Sequence, residues 1–184
     1  WRTASSASPT DPTFFSAPFA IRPPPRRHRL APLLEAGEGW ADYSYLVDDT
    51  ENAAERLRRA GLPMRGPLRV ANTLAGGETW SLDLLLTGIG AGGEEALPFL
   101  VEDREGRAHR IPRADRHSNG ARGIAGVRLR VASAEPVLQA LATMLGEAPQ
   151  PVEGGEAGTP RYRIGDTWLD ILEDAATPPG RGGA

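Results

Sequence analysis

The chain has 184 residues, a formal net charge of -3 at pH 7 and no cysteine. This length is enough for one compact domain with its own hydrophobic core. The absence of cysteine excludes disulfides and thiolate sites, and the acidic balance argues against nucleic-acid binding, which needs a basic face. No apolar run approaches the roughly 18 residues that a bilayer span requires. We therefore expect a cytoplasmic protein with neither a nucleic-acid nor a membrane partner.

The two ends of the chain differ in composition from its middle. Residues 1–36 are rich in Pro, Ser, Ala and Arg, and they follow neither the period of a strand nor that of a helix. We expect a disordered or non-native leader over residues 1–36, one domain over residues 37–174, and a disordered tail over residues 175–184.

Residues 38–104 predict a β-α-β-β-β unit. Trp40–Asp48 alternates apolar and polar side chains as a strand does. Asp48 followed by Glu51 predicts a capping box at the start of a helix, which Gly61 ends. Three further strands are predicted over Leu68–Thr73, Glu78–Leu86 and Leu97–Asp103.

Residues 117–174 repeat this order. Ile124–Ala132 predicts a strand that turns apolar side chains inward and Arg128 and Arg130 outward, and Ser133 predicts the cap of the helix that follows. A Gly-Asp turn then joins two hairpin strands, Arg161–Ile164 and Thr167–Glu173. The two units predict an α+β fold in which a curled mixed sheet carries helices on its outer face.

Three segments, Gly39–Asp49, Leu97–Glu102 and His117–Val127, resemble successive segments of the glyoxalase-like domain family of the vicinal oxygen chelate superfamily. The third begins His-Ser-Asn-Gly, where the family usually has His-Pro-Asn-Gly. The resemblance covers about Leu34–Asp174 and implies paired units curled around a cup. The superfamily's opening strand, with its Asp-His pair, has no counterpart in residues 1–36, which predicts that an N-terminal unit is missing.

The resemblance implies a divalent metal held by His and Glu side chains, with a small molecule bound in the cup. Gly126 stands where the second unit would place its metal-binding His. Asp170 falls near the expected carboxylate position and is the metal ligand predicted, and His117 and Glu102 are the other side chains that could serve. We predict that five residues contact the ligand. Two are strand tryptophans, each with an N–H that can orient a polar group, and one is a strand carboxylate. The others are a histidine, a residue type that can exchange a proton near neutral pH, and an asparagine in a turn. These residues are Trp80, Glu102, His117, Asn119 and Trp168.

Three functions follow as hypotheses. The leading one is a glyoxalase-like protein that binds a small molecule in its cup, with no catalytic residue assigned. The alternative is a metal-dependent lyase, isomerase or dioxygenase whose site is completed by a missing N-terminal unit or by the second subunit of a homodimer. The third is a purely structural or interaction module, which a cup filled by its own side chains would favour.

Gly88–Gly93 matches a dinucleotide-binding motif but lacks the helix that such a site requires.

Overall fold

The computed structural model describes residues 2–3, 28–35, 37–111, 119–121, 123–151 and 159–177. The expected leader and tail lie largely outside these ranges. Within them, the N-terminal region contributes strand β1 (Arg2–Thr3) and helix α1 (Ala31–Glu35). No helix of the described residues combines the length and apolar character needed to cross a membrane.

The first unit has the predicted order of elements. They are β2 (Ser44–Leu46), α2 (Thr50–Arg59), β3 (Arg65–Thr73), β4 (Thr79–Leu86) and β5 (Phe99–Glu105), followed by the short helix α3 (Arg107–Arg110). The strands are hydrogen-bonded in the order β1-β2-β5-β4-β3. Strand β2 runs parallel to β5, and the other neighbours are antiparallel.

The second unit repeats this topology. Its elements are β6 (Gly126–Val131), α4 (Ala134–Leu145), β7 (Gln150–Pro151), β8 (Pro160–Ile164) and β9 (Thr167–Glu173). The sheet order is β6-β9-β8-β7, again with the first strand parallel to the last and the others antiparallel. The α+β class and the repeated unit are confirmed, and the strands form two separately hydrogen-bonded sheets, one for each unit.

A glutamate from the last strand of each unit binds the start of that unit's helix. The Oε2 atom of Glu102 accepts hydrogen bonds from the backbone N–H and the hydroxyl of Thr50, both at 2.8 Å. The Oε2 atom of Glu173 accepts one from the N–H of Ala134, also at 2.8 Å. Helix starts have unsatisfied N–H groups and favour negative charge, so the same contact stabilises both units.

These contacts correct two details of the predicted helix starts. The cap of α2 is Asp49, whose carboxylate accepts from the N–H of Asn52 at 2.8 Å, so the predicted start at Asp48 is wrong by one residue. Ser133 is the cap residue of α4, as predicted, but its side chain makes no capping hydrogen bond. Glu173 supplies that contact from a strand distant in sequence.

One hydrophobic core is shared by the two units. Helices α2 and α4 contact each other, and their buried faces meet the inner faces of both sheets. Leu57 on α2 and Leu141 on α4 are at most 1% exposed, as are Leu100 on β5 and Leu169 on β9. This packing leaves the opposite face of each sheet turned away from α2 and α4, because successive strand residues point to alternate faces.

The two glutamates predict a difference in stability. Glu102→Ala leaves both donors of the wholly buried Thr50 unpaired, so we expect a loss of about 3 kcal/mol in the free energy of unfolding, measured by urea denaturation. Glu173→Ala is the matched control: it removes one contact at a more exposed helix start and should cost less than about 1 kcal/mol. Equal losses in the two variants would contradict this assignment.

Candidate functional site

The open face of the second sheet is lined by arginines around one tryptophan and one aspartate. The apolar residues that alternate with them on the same strands, such as Leu129 and Leu169, point into the core. We name this surface the arginine face; it consists of Arg128 and Arg130 on β6, Arg161 and Arg163 on β8, and Trp168 and Asp170 on β9.

Asp170 is wholly buried and is bound by arginines from both neighbouring strands. Arg161 on β8 donates from Nε to Oδ1 at 2.6 Å and from a terminal nitrogen to Oδ2 at 2.8 Å. Arg128 on β6 contacts Oδ2 at 3.3 Å. The strand register places the three residues directly side by side. The bidentate contact with Arg161 fixes both the position and the plane of its guanidinium group.

The same contacts determine the charge of Asp170. Burial alone would raise the pKa of its carboxyl group, but the hydrogen bonds from Arg161 and Arg128 and the charges of both guanidinium groups outweigh it. The pKa is therefore held below its ordinary value, and the carboxylate is ionised at neutral pH.

Trp168 lies over Gly126, its register partner on β6. A Cβ atom at position 126 would overlap the six-membered part of the indole, so the ring occupies the space that a side chain at 126 would need. The guanidinium carbon of Arg161 lies 4.4 Å from the centroid of the ring, a cation–π distance. Trp168 thus holds Arg161 from one side while Asp170 holds it from another.

The structure places Trp80 and Glu102 on opposite faces of the first sheet. Glu102 lies on the helix side, where its second oxygen also accepts from Arg104 at 2.6 Å. Trp80 lies on the open side, on β4. The guanidinium carbon of Arg110, from α3, lies 6.0 Å from the centroid of its ring. These two predicted ligand contacts are therefore not brought together.

Arg110 covers the open side of the first sheet near Trp80. Its guanidinium group binds Asp103, which also binds Arg107. The side chain of Arg110 is 9% exposed, and its Nε atom has no hydrogen-bond partner in the described part of the chain. The surface around Trp80 is thus already occupied by a neighbouring side chain.

The segment predicted to contact the ligand through His117 is described only in part. His117 itself lies outside the described residues. Asn119 is exposed, and its side-chain oxygen accepts from the N–H of Ala121 at 3.0 Å, which is the local turn contact expected of asparagine. The structure gives Asn119 this turn-stabilising contact.

The donor set of the described residues does not fit a catalytic metal. Such a site needs about three protein ligands with lone pairs directed at the ion. Asp170 already directs both oxygens at arginines, and a cation beside it would face the positive charges of Arg161 and Arg128. Over the described ranges, no three His, Asp or Glu side chains are grouped closely enough to hold a metal.

The contacts of Arg128 and Arg161 with Asp170 were not predicted from the sequence, although the sequence contains a signal for them. Both β6 and β8 contain the pattern Arg-x-Arg, at Arg128–Arg130 and at Arg161–Arg163. Because strand residues two apart share a face, each pattern places two guanidinium groups on one side of its strand. The sequence does not show that both patterns lie next to Asp170, because that depends on the order of the strands in the sheet.

Together, the fold and the site define an α+β protein of paired β-α-β-β-β units with an arginine-lined sheet face. The family model of the glyoxalase-like domain matches residues 1–145. The chain therefore belongs to the glyoxalase-like domain family, as its three segments indicated. The matched residues include the first unit and α4, and they end before β8 and β9, which carry most of the arginine face.

Other known proteins give information on the fold alone. No curated protein matches the chain. A crystal structure of a hypothetical protein from Staphylococcus aureus resembles it with a TM-score of 0.57 and 11% sequence identity. The similarity covers 78% of this chain and 57% of that one, so the chain spans little more than half the length of this structural relative.

The contact between Gly126 and Trp168 predicts that Gly126→Ala moves the indole ring. The added methyl group should cost about 1–3 kcal/mol in the free energy of unfolding, because the ring must move off the strand. The indole N–H signal of Trp168 in an NMR spectrum should shift as well. Gly76→Ala is the control, since its Cβ would meet only the flexible end of Glu78. An unmoved Trp168 signal in Gly126→Ala would contradict the contact.

The lowered pKa of Asp170 predicts a loss of stability in acid. Its carboxylate contributes stability that is fully present above the unfolded-state pKa, about 3.9, and disappears as the pH falls through the lower folded-state pKa. Asp170→Asn should therefore be less stable than the parent at pH 7, and the difference should shrink as the pH falls below about 4. Urea denaturation at several pH values measures it, and a constant difference would refute the prediction.

Proposed function

We propose that the protein binds a small molecule on the arginine face of its second unit. The observation that carries this proposal is the fixed position of Arg161, which is bound by the buried Asp170 and stacked on Trp168. Binding sites consist of a few polar groups held in place before the ligand arrives, because ordering them during binding reduces affinity.

Groups on this face remain accessible to a ligand. The Arg128 side chain is 49% exposed and that of Arg161 is 26% exposed, so both keep donors that face solvent. Trp168 is partly buried, and its indole N–H makes no hydrogen bond to the described residues. An indole N–H can orient a polar group of a bound molecule. Trp168 and Asp170 thus remain in the proposed site, with Asp170 as the residue that positions the arginines.

The metal-dependent lyase, isomerase or dioxygenase hypothesis receives less support. The two carboxylates proposed for the cup, Glu102 and Asp170, are bonded to a helix start and to arginines, respectively. A role for His117, a homodimer and a cytoplasmic location stay predictions.

A comparison of two tryptophans tests the proposed site. Fragments with neutral, cationic and anionic groups are screened against the protein by ligand-observed NMR, and Trp168→Phe and Trp80→Phe are screened in parallel. We expect at least one fragment to bind the parent and Trp80→Phe but to lose affinity for Trp168→Phe, because phenylalanine lacks the N–H and the wider ring.

The two variants carry the same substitution on different sheets, so each controls for the other. Thermal unfolding of each variant without a fragment shows whether it folds. Fragments that bind all three proteins equally, or whose binding depends on Trp80 alone, would overturn the placement on the second unit.

A further inference from the structure

The arginine face is positively charged in a chain whose formal net charge is -3. Four guanidinium groups lie on this surface, while its carboxylates are Asp170 and, at its end, Asp174. Asp170 is wholly buried beneath the arginines, so its charge is not presented to solvent. Among the described residues, the accessible charge of this face is therefore positive, and it favours the approach of anions.

Two of the four arginines have little engagement with carboxylates. Arg163 is exposed and makes no ion pair with any residue in the described ranges. Arg130 reaches Asp174 at 3.5 Å, the limit of a hydrogen bond, and its side chain is 61% exposed. Ion pairs of this kind contribute little to stability. Ion pairs within the described residues therefore do not account for all four arginines on this face.

The register of the strands places Arg128, Arg161 and Arg163 in two adjacent rows of the sheet, with Arg130 one row further along β6. Arg128, Asp170 and Arg161 form one row across β6, β9 and β8, and Trp168 and Arg163 belong to the adjacent row. Neighbouring strands are about 4.8 Å apart, so roughly 10 Å separates the backbones of β6 and β8. Long guanidinium side chains on those two strands can meet above β9.

We propose that the ligand of this face is a small anion bearing a carboxylate or phosphate group, bound by Arg128 and Arg163 and flanked by Arg130. This inference rests on the proposed function and names its ligand class. Guanidinium groups match both anions because their donors form parallel pairs of hydrogen bonds with two oxygens. Asp170 is a positioning residue here: it aligns Arg161 and Arg128 and does not touch the anion.

Binding of simple probes tests the ligand class. Inorganic phosphate, benzoate and its neutral amide, benzamide, are titrated into the protein, and the arginine Nε–H signals are followed by NMR at low and at high salt. We expect phosphate or benzoate to shift the signals of Arg128 and Arg163 and to bind more weakly at high salt, with little effect from benzamide. The first two probes separate a phosphate ligand from a carboxylate ligand.

Three single variants connect the binding to particular arginines. Arg163→Gln breaks no ion pair among the described residues. It should raise the dissociation constant of the anion that binds more tightly by about fivefold, and Arg128→Gln should raise it by at least as much. Arg59→Gln is the matched control, since Arg59 is 73% exposed on α2 and lies outside this face. It should leave the dissociation constant unchanged.

The outcomes separate this inference from the proposed function. Equal binding of benzoate and benzamide, with both dependent on Trp168, would overturn the anion class and leave the site in place. Anion binding that Arg59→Gln weakens as much as Arg163→Gln does would show non-specific attraction and overturn the inference. Absence of binding by either anion to the parent protein would also overturn it.

Discussion

A single buried carboxylate organises the second half of this molecule. Asp170 is 0% exposed, and a charge removed from water is tolerated only when it is paired and hydrogen-bonded. Its partners come from the strands on either side, so the three strands β6, β9 and β8 are joined on their open face by side chains as well as by backbone hydrogen bonds. The positions of Arg161, of the indole stacked with it and of the glycine beneath that indole all follow from this requirement.

The two units share a topology and differ in what their open faces carry. Both units bind the helix start with a glutamate from the last strand, and both contribute to one core. The corresponding face of the first sheet, however, carries leucines along β4, of which Leu82 and Leu86 are buried, with Trp80 beneath Arg110. The second presents arginines. The elements that the two units share thus form the common core, and the units differ in the side chains on these faces.

The sequence predicted most of the elements because their signals are local. Helix α4 and the β8–β9 hairpin agree with the apolar period and with the Gly-Asp turn. The start of α2 was placed one residue early because Asp48 and Asp49 are both good caps. The contact between Glu173 and Ala134 joins residues 39 apart in sequence, so the local pattern around Ser133 could not indicate it.

The site was predicted less completely than the fold for the same reason. Trp168 was predicted from its place on a strand and Asp170 from the resemblance, and the structure places the two side chains on the same face of β9. Arg161 lies across a two-residue turn from Asp170, so the hairpin register alone gives this pair. Arg128 is 42 residues from Asp170, and their contact follows only from the parallel pairing of β6 with β9. Side chains that act together here are joined by strand order, which periodicity does not encode.

The glycine beneath the indole also constrains how such a protein can change during evolution. The resemblance places a metal-binding histidine at position 126, but the ring of Trp168 fills the space above that position. A histidine at 126 would overlap the ring of Trp168 in this arrangement. Any side chain at position 126 therefore requires the ring of Trp168 to move away from the strand or to be replaced by a smaller side chain.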